Sequence, residues 1–371
     1  MRILVTGGAG FIGSNLANAL IDEIGAKREH PVEQRPTSEE EENYADGPES
    51  INFGEVIALD DLSLGSPSNV SNRVKLVNGS VMNYDLVLEL SKGCDYIFHQ
   101  AALSSSPMFV DDPRRGVDVN VMGFMNIMES AKRNKVKKVI YASSSSLYNG
   151  LPTPYKETAS INPKTFYESS FYCREMIAQT YYLEYGLSSI GLRYFSVYGP
   201  NEKHKGRFAN NISQFIWDIA ERRKSPLIYG DGSQTRDFTF VEDVVHANIL
   251  AMRKKQHKRS ANNIDERGNE LPECSIYNVG TGIQTSFTHV VDIINKQLGT
   301  HIMPTYVENP INNYVQHTMA DISLARSELD YEPRWPDVED GIKQLLSLQQ
   351  SANPSSSSGS SYPSIRISPG S

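Results

Sequence analysis

Three glycines recur at three-residue intervals in TGGAGFIG: Gly7, Gly10 and Gly13. The preceding RILVT reads as a buried strand, and the following GFIGSNLANALIDEIG carries Ile12, Leu16, Leu20 and Ile24 at helical spacing. A strand that turns through glycines into a helix brings backbone N–H groups close to a pyrophosphate, and the helix N-terminus adds partial positive charge. Gly7, Gly10, Phe11, Ile12 and Gly13 are therefore candidate dinucleotide contacts. The alternative is a tight strand–helix turn without a ligand. A ribose-binding acid belongs about 20 residues after such a loop, at the end of the second strand. Asp60 ends VIALD, 47 residues after Gly13; taking out the 25 residues of the polar segment 26–50 leaves 22. A carboxylate there accepts hydrogen bonds from ribose hydroxyls and repels a 2′-phosphate, which favours NAD over NADP.

The elements that must hold these groups are legible as alternation. Strand-like runs VIALD (56–60), VKLVNG (74–79), DYIFHQAA (95–102), KKVIYASS (137–144) and SSIGLRYF (188–195) are separated by helical stretches such as NVMGFMNIMESAKRN (120–134). Strands alternating with helices imply a parallel sheet covered on both faces, an α/β Rossmann-like doubly wound fold. Residues 26–50 are polar, acidic and contain proline, as expected of a surface insertion; 254–272 form a second polar loop. The serine-rich end is expected to be disordered.

The 371 residues carry a net charge of −8, which argues against a nucleic-acid surface but not against phosphate-bearing small ligands. Cys94, Cys173 and Cys274 have no paired spacing, so a disulfide framework or a metal site is not expected. No run approaches the apolar length of a membrane span. A cytoplasmic protein is the expectation.

With TGGAGFIG, LDDLSLG, FHQAA, YASSSSLY, LRYFSVYGP and IYGDGSQTRDFTFVEDV in that order, the chain resembles the extended short-chain dehydrogenase/reductase family, within it the NAD-dependent nucleotide-sugar epimerases and dehydratases, and among these the UDP-glucose (or UDP-N-acetylglucosamine) 4-epimerases. The resemblance spans about residues 1–345, the two insertions excepted. It implies an NAD-binding domain over 1–195 and a smaller α/β substrate-capping domain over 196–345. The chain is expected to return to the first domain near 235–250 and to end in a disordered tail, 346–371. It also implies a UDP-sugar substrate and a homodimer formed by the helix carrying Tyr167 and the one near 120–134. Ser80 and Val81 fall where the family contacts adenine, with Ser80 in place of an aspartate. Ala101 and Ala102 line the cofactor, Asn120 starts a helix near the nicotinamide end, and Phe195 offers a backbone contact to nicotinamide. Arg236 matches the arginine that clamps the substrate diphosphate. Ser104, Ser196 and Asn210 fall at further substrate positions. Ile311 and Tyr314 stand where many relatives carry an arginine and an aspartate.

The same resemblance makes Tyr167 the base and Ser144 its hydroxyl partner, and puts Phe171 where relatives have lysine. A free tyrosine titrates near 10. A lysine one helical turn on, with the charge of oxidised nicotinamide, favours the phenolate. If lysine contributes about two pKa units, its loss costs roughly 2.7 kcal/mol, about a hundredfold in rate. Neither Lys164, aimed outward at the helix start, nor Arg174, which would reach back about 10 Å, is expected to substitute. Three readings stay open: a 4-epimerase slowed at Phe171, a non-catalytic NAD- or nucleotide-sugar-binding protein, and a 4,6-dehydratase. The last is disfavoured because Ser145 and Ser146, not an acidic pair, follow Ser144.

Overall fold

The computed structural model describes residues 1–29, 54–254, 274–310 and 314–352. Seven strands form one parallel sheet. Six are β1 (Arg2–Thr6), β2 (Glu55–Asp60), β3 (Lys75–Asn78), β4 (Tyr96–His99), β5 (Lys138–Ser144) and β6 (Ser189–Tyr194); the seventh is the edge strand Cys274–Val279. Their spatial order is edge strand, β6, β5, β4, β1, β2, β3. The order reverses at β1, so the chain is doubly wound and a crevice opens at the strands' C-terminal ends. The strand-like runs foreseen in the sequence all lie in this sheet, with bounds that shift at some ends.

Helices cover both faces, as near-continuous apolar strands require. On one face α1 (Phe11–Glu29) packs with the helix Val241–Arg253, burying Leu16, Leu20, Val244 and Ile249 against Ile3, Val5 and Ile190. On the other lie α2 (Tyr84–Leu90) and the helical run that follows two short helices, α3 (Ser106–Asp111) and α4 (Pro113–Val117). That run is a π-turn, Asp118–Met122, continuing into α5 (Gly123–Arg133). Beside it runs α6 (Phe166–Tyr185), and Phe124, Ile127, Met128, Ala178 and Tyr181 form its core with Leu4, Ile57 and Val139. A separate core of Ile212, Phe215, Phe238, Phe287, Ile294, Ile342 and Leu345 holds the C-terminal elements together.

Three boundaries differ from expectation. Helix α1 continues to Glu29, so the polar segment 26–50 begins helical; its remainder lies outside the described residues. The last helix, Val338–Ala352, runs through the start of the expected tail, because Leu346 is buried beside Leu345 in the second core. Residues 353–371 lie outside the described residues, as does nearly all of the loop 254–272. Asn120 does not start a helix; it sits mid-run, inside the π-turn.

One buried ion pair ties α6 to the sheet. The Arg193 guanidinium donates to both oxygens of Glu175, at 2.8 and 2.6 Å, and to the Tyr148 hydroxyl at 2.6 Å, while Ser143 Oγ donates to Glu175 at 2.6 Å. Removing one partner of such a pair leaves a buried charge uncompensated. Arg193→Met is expected to cost about 3–5 kcal/mol, read as a lowered midpoint in urea unfolding.

Candidate functional site

The C-terminal ends of the strands open onto a cleft of about 750 Å³. At one end lies the glycine loop. Gly7 has φ +66°, and a Cβ there would meet the Ala101 backbone nitrogen at 2.7 Å; a Cβ on Gly13 would lie 2.0 Å from the Gly7 carbonyl oxygen. The loop is thus pressed onto its own helix and onto the turn after β4, leaving a backbone-walled cradle that suits a pyrophosphate. Asp60, at the end of β2, accepts from Ala9 N at 3.0 Å and Leu62 N at 2.8 Å. Burial pushes its carboxyl above the usual range, opposed by these backbone donors. Each oxygen keeps capacity for a further donor, such as a ribose hydroxyl. Phe11, Ile12, Ser80, Val81, Ala101 and Ala102 line the same end. These residues fit a dinucleotide.

At the other end stands Tyr167. Thr165 caps α6 by accepting from Glu168 N at 3.2 Å. The Glu168 carboxylate reaches back to Lys164 N at 2.6 Å and Asn149 Nδ2 at 3.0 Å. This capping arrangement fixes the first turn. The Tyr167 ring is gripped edge-on between Phe109 and Phe171, with centroids 5.6 and 5.0 Å away. Its hydroxyl donates to the Ser104 carbonyl at 3.2 Å and lies 3.4 Å from Ser144 Oγ, itself 2.8 Å from Ser146 Oγ. The strand's alternation separates the adjacent serines: Ser144 faces the cleft side chain, whereas Ser143 turns to Glu175. Burial, first, pushes the Tyr167 phenol up; the Ser144 hydrogen bond and the charge of Arg174 pull it down, and Glu168 opposes them.

Arg236 lies across the cleft, half-buried, its guanidinium 5.3 Å from the Phe287 ring centroid and 5.2 Å from that of Tyr314. It donates to the Thr235 and Gln316 carbonyls. It forms no ion pair with Asp237, which instead accepts from Thr281, Gly282 and Ala320 inside the core. Among the described residues its charge is left for a ligand. Asn210 lines the cleft while its side chain caps the helix Asn211–Ile216, accepting from Ile212 N. Ser196 lines it too, with φ +30°, and Tyr314 turns its ring to Arg236 instead of supplying a charge.

Two predicted residues stand behind the wall. Phe195 is fully buried. Asn120 is buried, accepting from Leu103 N at 2.9 Å and donating to Ser170 Oγ at 3.0 Å, so it shapes the wall without lining it. Lys164 is exposed, as expected. Arg174, on the same helix face as Tyr167, is fully buried beneath Phe171. Its position seven residues after Tyr167, on the same helix face, was the available signal. Also unforeseen in the lining are Arg115, Glu202, His204 and Lys205, which carry no motif.

A doubly wound parallel sheet with a glycine-loop cradle and an acid at the second strand end defines a dinucleotide-binding α/β protein. Residues 3–280 match the model of the NAD dependent epimerase/dehydratase family, and the chain belongs to that family. NAD is its cofactor. The chain is 34% identical over 354 residues to a putative UDP-glucose 4-epimerase of Methanocaldococcus jannaschii, covering 95% of this chain and 99% of that one. It is similar to the structure of a UDP-N-acetylglucosamine 4-epimerase from Methanobrevibacter ruminantium in complex with UDP-N-acetylmuramic acid. There the TM-score is 0.77 and the identity 28%, over 95% of this chain and 99% of that one. The Thermus thermophilus UDP-glucose 4-epimerase with NAD superposes with TM-score 0.74 at 25% identity, over 94% and 98% of the two chains.

The glycine geometry gives a direct test. Gly13→Ala places a methyl group into the Gly7 carbonyl and is expected to weaken NAD binding by at least about tenfold, measured by calorimetry on protein whose circular dichroism is unchanged.

Proposed function

We propose that the protein is a UDP-sugar 4-epimerase that interconverts UDP-galactose and UDP-glucose, or their N-acetyl forms, through a 4-keto sugar. The observation that carries this reading is the Tyr167 hydroxyl held between Ser144 Oγ and the Ser104 carbonyl, in one cleft with the glycine cradle and Arg236. Tyr167 takes the proton of the sugar 4-hydroxyl and returns it on the opposite course; Ser144 orients the hydroxyl and shares the proton. NAD, when bound, accepts and returns the C4 hydride. Gly7, Gly10, Phe11, Ile12 and Gly13 hold its pyrophosphate and Asp60 its adenosine ribose. Ser80, Val81, Ala101 and Ala102 line its bed, and Asn120 and Phe195 support the nicotinamide end. Arg236 clamps the substrate diphosphate as a permanent charge with a planar fork of donors. Ser104, Ser196 and Asn210 complete the substrate side.

The names of the relatives support a UDP-sugar and both sugar classes. A 4,6-dehydratase is disfavoured, since Ser145 and Ser146 enter a short helical turn after Ser144 and offer no carboxyl group. Phe171 motivates a second reading, a binding protein without turnover, and the tests separate the two.

Purified protein with NAD and UDP-galactose, or UDP-N-acetylgalactosamine, is expected to accumulate the gluco epimer, resolved by chromatography. Tyr167→Phe is expected to lower turnover by about 10²–10⁴-fold while NAD still binds. NAD binding without turnover on either sugar would leave the binding-protein reading. Because the base works as phenolate and burial raises its titration, turnover is expected to rise with pH above neutrality. The sign follows from the deprotonated form being active.

We also infer a homodimer through α5 and α6; on α6 Met176, Leu183 and Tyr185 are exposed. Sedimentation at micromolar concentration is expected to show twice the chain mass; a monomer sinks this inference.

A further inference from the structure

A buried arginine is ordinarily paired with a carboxylate, as Arg193 is with Glu175 one residue along from Arg174. Arg174 is different. Its side chain is fully buried, yet its partners are backbone carbonyls: Nε donates to Asn120 at 2.7 Å, Nη2 to Ala101 at 2.9 Å and Nη1 to Ala142 at 3.4 Å. Among the described residues it has no ion pair. Carbonyls satisfy the N–H groups but leave the positive charge uncancelled in a medium of low polarity. The π-turn around Asn120 helps, because such a turn breaks the regular ladder and frees backbone acceptors. The guanidinium carbon lies 4.8 Å from the Phe171 ring centroid, and that ring is edge-on to Tyr167. Tyr167, Phe171 and Arg174 therefore form a stack along one face of α6.

We propose that Arg174 is the resident cation of the Tyr167 site, with Phe171 the aromatic plate that holds it there, so that the charge is supplied from one turn deeper in the helix. This rests on Tyr167 being the proton acceptor. Phe171 is then a fitted part and not a loss: a ring face attracts the guanidinium, and a second cation at 171 would sit against it. Arg174 acts as a positioning residue through Tyr167. It touches no substrate and leaves the nicotinamide ribose without the contact a lysine would give.

The titratable groups around it are few. Glu168 is on the same helix, engaged by Lys164 N and Asn149. His99 on β4 is bonded to Thr6 and kept neutral by burial and by Arg174. Tyr141 on β5 feels the same charge. Glu175 is neutralised by Arg193. Arg174 is thus the one group in this set that favours a phenolate at 167.

The test is the Tyr167 titration itself, followed by NMR of protein carrying 13Cζ-labelled tyrosine. The signal is assigned by its absence in Tyr167→Phe, and the titration is read with and without NAD. In Arg174→Gln, which keeps a donor but not the charge, the Tyr167 titration is expected to move upward, and turnover at neutral pH to fall by about tenfold or more. Arg174→Lys, which keeps the charge, is expected to titrate near the parent protein. A folded Arg174→Gln protein with an unmoved Tyr167 titration overturns the proposal. If Arg174→Gln does not fold, Arg174→Lys decides alone: a titration displaced upward despite the retained charge overturns it. If the Tyr167 titration follows the charge but no sugar is turned over by any form, the cation assignment stands and the epimerase reading falls.

Discussion

The Glu175 carboxylate is the knot on which the site depends. It receives Arg193 from β6 and Ser143 from β5, and sits two helical turns beyond Tyr167. Arg193 passes the connection to the Tyr148 hydroxyl, which donates to Asn278 Oδ1 on the edge strand. Asn278 in turn donates to the carbonyls of Tyr155 and Asp321. One polar chain therefore fixes helix α6, two central strands, the edge strand and the returning C-terminal segment. The role proposed for the Tyr167 hydroxyl requires it to be carried on an element so restrained.

Against that rigid helix the cleft is built from parts of different character. The cofactor end is nearly all backbone: small residues, close approaches and one carboxylate. The substrate end relies on side chains, with Arg236 stacked between Phe287 and Tyr314. The aromatic pair flanks the guanidinium without neutralising it, and burial lowers its proton affinity only from a very high starting point. A guanidinium without a carboxylate partner has none to shed before it meets the diphosphate of the proposed substrate.

Much of this was legible in the sequence because its signals are local. The glycine loop, the strand runs and the acid at the end of β2 follow from spacing and period alone. Asp60 could be found by looping out a polar segment even though α1 in fact claims the first residues of that segment. The burial of Arg174 was not legible, although its place on the Tyr167 face of α6 follows from the seven-residue spacing. Only the crossing of α6 over β4 and β5 brings the carbonyls of Ala101 and Ala142 to it. Asn120 escaped for a related reason: a π-turn has no clear sequence period, so its place inside a helical run and not at the start of one comes from packing. The helix end at Ala352 was hidden because Leu345 and Leu346 precede a serine-rich stretch whose composition dominates the reading.

The two hydrogen bonds of Asp60 have a consequence for cofactor choice. One oxygen accepts from Ala9, within the glycine loop, and the other from Leu62, in the turn after β2. The carboxylate proposed to meet the adenosine ribose is thus also a rivet between two loops. Trading it for a neutral or basic side chain to admit a phosphorylated ribose would slacken the cradle at the same stroke. On that proposal selectivity and scaffold share one side chain, and a change of nucleotide would need a second donor-tethering residue to arrive with it.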